Sequence, residues 1–189
     1  MAEIQCGLDT ITKPQNCNDR GGIRALYWVE RSQVDFDAML ADATKFDPAN
    51  QQILGYTMQA GAVFNKVEFE RKEAFYSFGY TDELDAYNLL ITLGFKGKSL
   101  ARRNSLQKAI GCCDVYVHIY GNDGTQRTVG SDYNGEVFDP IVDAPHITRH
   151  DDAGGQLGTS RSTDSLDLGG EAFFAPMFAN VPESAIPLA

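Results

Sequence analysis

The sequence has no long apolar run. None of its hydrophobic stretches approaches the roughly 20 consecutive apolar residues that a membrane-spanning helix needs. Its opening stretch, MAEIQCGLDTITKPQNCNDR, lacks a basic region followed by an apolar one. No secretory leader is therefore expected, and synthesis in a cytosol is. Basic residues are also scarce, with 16 Lys and Arg against 26 Asp and Glu, a net charge of −10. That balance excludes the ordinary nucleic-acid binder, which attracts phosphates with clustered Lys and Arg, and adhesion to anionic membranes. It suits a surface that nucleic acid slides past without sticking. The four cysteines, Cys6, Cys17, Cys112 and Cys113, match no zinc spacing and read as ordinary reduced thiols.

Sites for catalysis are equally scarce. The chain holds only three His, so few general bases are available. His146 and His150 stand four apart beside Asp151 and Asp152, but two His at that spacing share a face only on a helix. Pro145 and Gly154-Gly155 argue for a solvated loop there. Ser131 lacks the Gly-x-Ser-x-Gly frame of a strained nucleophile turn. Asn122-Asp123-Gly124 reads as a hairpin turn, since acidic ligands at calcium-loop spacing do not follow it. Gly154-Gly155-x-x-Gly158 has no strand before it and no helix after it, so it is not a phosphate loop. No catalytic, metal or cofactor site is expected.

What is present is a globular composition: 189 residues, 43% hydrophobic and 22% charged. The pattern predicts one β-rich domain over 1–189, with an extended N-terminal segment (1–22), a long loop (144–163) and a C-terminal tail (175–189). Strands are expected at 23–30, brokenly over 51–64, at 65–80, 86–97, 114–121 and 125–129, around Glu136–Ile141, and at 164–174. The clearest is AYNLLITLGFKG. There Tyr87, Leu89, Ile91, Leu93 and Phe95 share one face, Asn88, Thr92 and Lys96 the other, and Leu90 is the exception. A short helical turn is expected near Asp37–Ala43. A full helix is expected after the N-cap Ser99, with Leu106, Ala109, Ile110 and Cys113 on its apolar face and Gly111 near its end. The fold class is mainly β: an antiparallel sandwich or barrel carrying one packed helix and long loops.

Asn65–Tyr80, NKVEFERKEAFYSFGY, fits this picture poorly. Six of its first nine residues are charged, yet its second half carries Phe75, Tyr76, Phe78 and Tyr80, too close together for one face. A sandwich strand has one dry face and one wet face. Aromatics in excess of one face point to burial against other copies of the chain. Phe75, Tyr76, Phe78, Tyr80, Tyr116, Tyr120, Phe173 and Phe174 are the interface candidates. Lys66, Glu68, Glu70 and Lys72 are candidates for a solvated channel or a seam between rings. A carbohydrate platform built on Tyr76, Tyr80, Tyr116, Tyr120, Phe173, Phe174 and Phe178 is the competing reading.

The order of these segments resembles the tail tube proteins of bacteriophages. It runs from a charged strand hairpin (NKVEFERKEAFYSFGYTDELDAYNLLITLGFKG) to a helix (SLARRNSLQKAIG), a strand–turn–strand (VYVHIYGNDGTQRTVGSDYNG) and a C-terminal strand (DLGGEAFFAPMF). Cys6-Gly7-Leu8, Gly22-Ile23 and Leu26-Tyr27-Trp28 resemble segments of such proteins from phages of Bacteroidetes. The resemblance implies hexameric rings that stack into a tube, built in the host cytoplasm and carried in the virion tail. It implies other tail proteins as partners. It also implies an acidic lumen through which genomic DNA passes without specific binding, and the net charge of −10 fits such repulsion. Residues 35–50, 144–163 and both termini would reach the next ring. The tail and the long loop leave open a tail-terminator, a head–tail connector or a capsid-associated role.

Overall fold

In the computed structural model the described residues are 22–69, 73–82, 86–96, 114–139, 143–153 and 163–188. The expected helix after Ser99, the four cysteines, Glu70 and Lys72 lie outside them.

The strands in chain order begin with Ile23–Glu30 (β1), Phe46–Asp47 (β2), Gln52–Ile53 (β3), Asn65–Glu68 (β4) and Ala74–Thr81 (β5). Ala86–Lys96 (β6), Val115–Gly121 (β7), Gln126–Val129 (β8), Asp132–Tyr133 (β9) and Phe138–Asp139 (β10) follow. Asp143–Ala153 (β11), Thr163–Ala172 (β12) and Met177–Ala179 (β13) complete the set. One short helix, Phe36–Ala41 (α1), is capped by Asp35, whose side chain accepts from the Ala38 N–H at 3.0 Å.

These strands form a seven-stranded sheet in the order β2-β3-β13-β8-β7-β1-β4, a four-stranded sheet in the order β11-β12-β6-β5, and the two-stranded pair β9-β10. All pairings are antiparallel except β13 with β3. The protein is mainly β and sandwich-like, as expected. Its sheets do not close into a barrel.

The wet-face, dry-face rule fails at the centre of the large sheet for a simple reason: β7 is buried on both faces. Val115, Val117 and Ile119 join the inner side chains of the four-stranded sheet, among them Leu89, Ile91, Leu93, Leu166 and Leu168. Tyr116 and Tyr120 point the other way, into a second core with Tyr27, Phe36, Tyr56 and Phe64. A bulge between Ile23 and Ala25 lets β1 serve both cores, with Ile23 and Leu26 in the first and Ala25 and Tyr27 in the second. The small β9–β10 sheet packs on the second core through Tyr133 and Phe138, which meet Phe36 and Phe46. That core is otherwise roofed by α1, by the irregular stretch from Val34 to Phe64 and by the chain end, where Val181 and Ile186 are buried.

Several expectations need correction. Asn65–Tyr80 is not one strand. Its charged half is β4 at the edge of one sheet, and its aromatic half is β5 at the edge of the other. The change of character midway is a change of sheet. Residues 143–153, read as the start of a long loop, form the eleven-residue strand β11. Two register shifts against β12 erase the period-two pattern that would have revealed it. Of the strand expected over Glu136–Ile141, Glu136 and Val137 are bends, Phe138 and Asp139 form β10, and residues 140–141 lie outside the described residues. The tail does not extend away. Phe64 N–H donates to Pro187 O at 2.8 Å, Val181 N–H donates to Gln126 Oε1 at 2.9 Å, and Tyr120 Oη donates to Val181 O. Its prolines punctuate a strap that closes the second core.

Candidate assembly edge

The four-stranded sheet has two ends, and β5 is one of them. Its sequence, AFYSFGYT, holds no charge and no proline. It pairs with β6 over its full length without a register shift, from Ala74 opposite Leu93 to Thr81 opposite Ala86. Gly94 pins the start of this pairing. Its N–H donates to Glu73 O at 2.6 Å, and a Cβ there would sit 2.9 Å from that oxygen.

Alternation sorts the side chains of β5. Ala74, Tyr76 and Phe78 face the first core, where Tyr76 and Phe78 stack with ring centroids 4.9 Å apart. Both remain half-buried, since no further described strand lies beside them. Phe75 and Ser77 face outward with Leu90 and Thr92 of β6. Phe75 and Leu90 are exposed diagonal neighbours on this outer face. Leu90, the residue that broke the alternation in the sequence, therefore belongs to the surface around β5.

Further aromatics gather at one end of the same sheet. Register aligns Tyr80 with Tyr87, and Tyr87 with Ala172 at the end of β12. The Tyr80 and Tyr87 rings meet edge to face at 5.5 Å. Phe173 and Phe174 follow Ala172 directly, and both are exposed. Their turn is held from below: the buried Asp132 carboxylate accepts from the Phe173 N–H at 3.0 Å. Burial pushes that carboxyl up from its ordinary value. Arg127 donates to Pro176 O at 3.0 Å and lays its guanidinium 3.3 Å from the centroid of the exposed Phe178 ring. Phe178, expected only in the carbohydrate platform, stands on β13 of the seven-stranded sheet.

The remaining candidates are placed as follows. Tyr116 and Tyr120 lie inside the second core and are withdrawn as contact residues. Val115, Val117 and Ile119 fill the first core from the other side, so both faces of β7 are dry. Lys66 and Glu68 are on β4 and pair with each other at 2.5 Å. Lys66 also reaches Glu183 at 2.8 Å, beside Arg24 at 3.0 Å. Hydrogen bonds from Lys66 and then Tyr27 hold the Glu183 carboxylate down at about 2. The sequence offered no sign that the chain end would meet β4.

Chemistry is sparse among the described residues. No group of His, Cys, Asp and Glu is arranged to hold a metal. His146 and His150 lie on β11, four residues or about 13 Å apart on an extended chain, too far to share one ion. An open cleft of about 320 Å³ is lined by Arg31, Ser32, Val34, Asp35, Phe36, Asp37, Gln59 and Phe138, and the Ser32 hydroxyl at its wall donates to Glu30 Oε1 at 2.7 Å. His118 is fully buried, with Nδ1 2.5 Å from Tyr56 Oη, and burial drives it down to about 3. It is a neutral core side chain. No described helix is long and apolar enough to cross a membrane. Compared with protein-family models, curated proteins and solved structures, the chain matches none of them.

Proposed function

We propose that this chain is a structural subunit that assembles with copies of itself, a tail tube protein of a phage or a closely allied virion component such as a connector or terminator. The single observation that carries the reading is the β5 edge. It is eight residues long and uncharged, is flanked by exposed aromatics, and has no neighbouring strand on its outer side among the described residues. Proteins that stay monomeric blunt such edges. Full burial of a large apolar side chain is worth about 1.5–3 kcal/mol, so Phe75, Tyr80 and Leu90 together form an ample docking surface. In a ring, the same edge on each copy would meet its neighbour, and the excess of acidic residues would keep DNA in the channel mobile.

The carbohydrate-platform alternative is weakened by the burial of Tyr116 and Tyr120, two of its seven aromatics. Electron microscopy and a solution mass of the purified protein over a range of concentrations test the proposal. Rings or stacked tubes are the expected result. A monomer at every concentration would refute it.

A further inference from the structure

His118 sits on β7 beneath the roof of the second core. Tyr56 Oη lies 2.5 Å from its Nδ1. The rings of Tyr27, Tyr56 and Tyr120 stand with centroids 5.9, 5.7 and 5.0 Å from the imidazole. Gln126 of β8 also faces it and favours its charged form through a hydrogen bond. Behind it β7 is covered by the first core, so water cannot arrive from that side.

Three of these neighbours are fastened to residues 180–188, the part of the strap beyond β13. Val181, fully buried, donates its N–H to Gln126 Oε1 at 2.9 Å and accepts from Tyr120 Oη. The Glu183 carboxylate accepts from Tyr27 Oη at 2.5 Å and from Arg24 at 3.0 Å, and pairs with Lys66 at 2.8 Å. Asn180 N–H donates to Ile53 O and Phe64 N–H to Pro187 O, both at 2.8 Å. Lifting residues 180–188 therefore breaks a short set of ties and no named strand of either sheet. It uncovers Tyr27, Tyr120 and Gln126, and with them His118.

We propose that residues 180–188 are an acid-released latch, which opens as a unit when His118 takes up a proton and leaves both sheets paired. The phenols of Tyr27, Tyr56, Tyr116 and Tyr120 are all raised by burial and stay neutral near pH 7 and below. Arg24 and Lys66 are cations throughout, and Glu68, the other partner of Lys66, lies exposed at the rim. Glu183 is held at about 2 by its bonds from Lys66 and Tyr27, so it remains an anion at pH 5. His118 is therefore the group that changes charge. Burial holds it at about 3 under the closed strap, against an ordinary 6.5 in water. The open form binds a proton that the closed form refuses. Closure is fully favoured above about pH 6.5 and weakens as pH falls from there toward 3. The ratio of open to closed chains should rise roughly 25-fold between pH 7 and pH 5. This inference does not rest on the assembly reading.

Hydrogen exchange on the full chain tests it, read by NMR at pH 7 and pH 5 relative to each amide's intrinsic rate. The amides of Asn180, Val181 and Phe64 report the latch, and those of β6 report global unfolding. The latch amides should be at least about tenfold less protected than β6 at both pH values. Their protection should fall roughly 25-fold on going to pH 5. Low urea should leave their exchange nearly unchanged while speeding that of β6, because a small opening exposes little surface. Glu183→Gln should lower latch protection several-fold at both pH values and keep the same pH ratio. His118→Gln should abolish that ratio. Latch and β6 amides with equal protection and equal urea dependence would overturn the proposal, since His118 would then meet water only on global unfolding. Latch protection that is the same at both pH values would also overturn it. So would a pH ratio that survives His118→Gln or disappears in Glu183→Gln.

Discussion

The two edges of the four-stranded sheet differ in every property that governs strand addition. β11 is eleven residues long, carries four charged residues and Pro145, and meets its neighbour with two register shifts. β5 is eight residues long, carries no charge and no proline, and runs in unbroken register along β6. Both edges cover the same apolar core, so burial alone does not explain the contrast. One edge carries the features that discourage strand addition, and the other carries none of them. An all-purpose surface would have protected both.

The most direct way to break this comparison is to give β5 the character of β11. Phe75→Glu with Ser77→Lys puts two charges on its outward face and disturbs neither the first core nor the pairing with β6. Assembly should be lost, with the half-assembly concentration rising by roughly a hundredfold if each substitution removes about 1.4 kcal/mol. Thermal unfolding of the monomer should shift little, because exposed substitutions away from special features stay within about 0.5 kcal/mol. Sedimentation velocity and calorimetry read the two effects separately. Assembly that survives both charges would place the contact elsewhere.

A second substitution asks how far the edges depend on the core they share. Ile91 of β6 is buried against β7 and lies opposite both Tyr76 and Leu168. Ile91→Ala should destabilise the fold by about 2–5 kcal/mol in denaturant unfolding, through lost burial plus the cavity left behind. Because the loss falls beneath both edges, assembly and folding should weaken together, unlike in the surface pair above. That difference separates a contact residue from a supporting one.

Acid probes the other side of the large sheet. His118 is neutral and buried in the second core, with its folded value driven down to about 3 from an ordinary 6.5. The unfolded chain therefore binds a proton that the folded chain refuses. Stability from this group is fully present above about pH 6.5 and is lost as pH falls from there toward 3. The loss between pH 7 and 4.5 should be about 2–3 kcal/mol. In His118→Gln, urea unfolding across that range should have a flatter slope by about that amount. Self-association through β5, a strand with no Asp, Glu or His, should keep its pH dependence unchanged in the variant.

How much of this was legible in the sequence depended on whether a pattern was local. The strand at 23–30, the clean alternation over 86–97 and the hairpin around Asn122-Asp123-Gly124 needed only a period and a turn. Phe75 and Leu90 were visible for the same reason, each being an apolar residue on a face that should be wet. Tyr116 and Tyr120 misled because no local pattern says that a strand is covered on both sides. The roof over them comes from Phe36, Tyr56 and Ile186, far apart in the chain. The strand β11 was hidden by its register shifts, and the strap 177–188 by its prolines. The tie from Glu183 to Lys66 joins positions 117 apart, which no window of sequence could connect.

That tie supports the smallest prediction and the sharpest form of the comparison. β4 is a third edge, and its protection is of another kind. It is short, and Lys66 and Glu68 are engaged with each other and with Glu183. Glu183 is partly exposed, so solvent screens the cluster and its loss should cost about 1 kcal/mol or less. Lys66→Thr with Glu68→Thr makes β4 as uncharged as β5 without lengthening it or adding aromatics. If protection requires charge alone, the variant should gain new self-association in light scattering. If addition requires length and an apolar flank as well, it should lose a little stability and gain no contact. The second outcome is expected, because four residues offer few backbone pairs and the exposed Leu188, bridged to Phe64 just before β4, is a single aliphatic side chain rather than a row of aromatics. A new oligomer from this variant would show that charge is what separates β5 from the other edges.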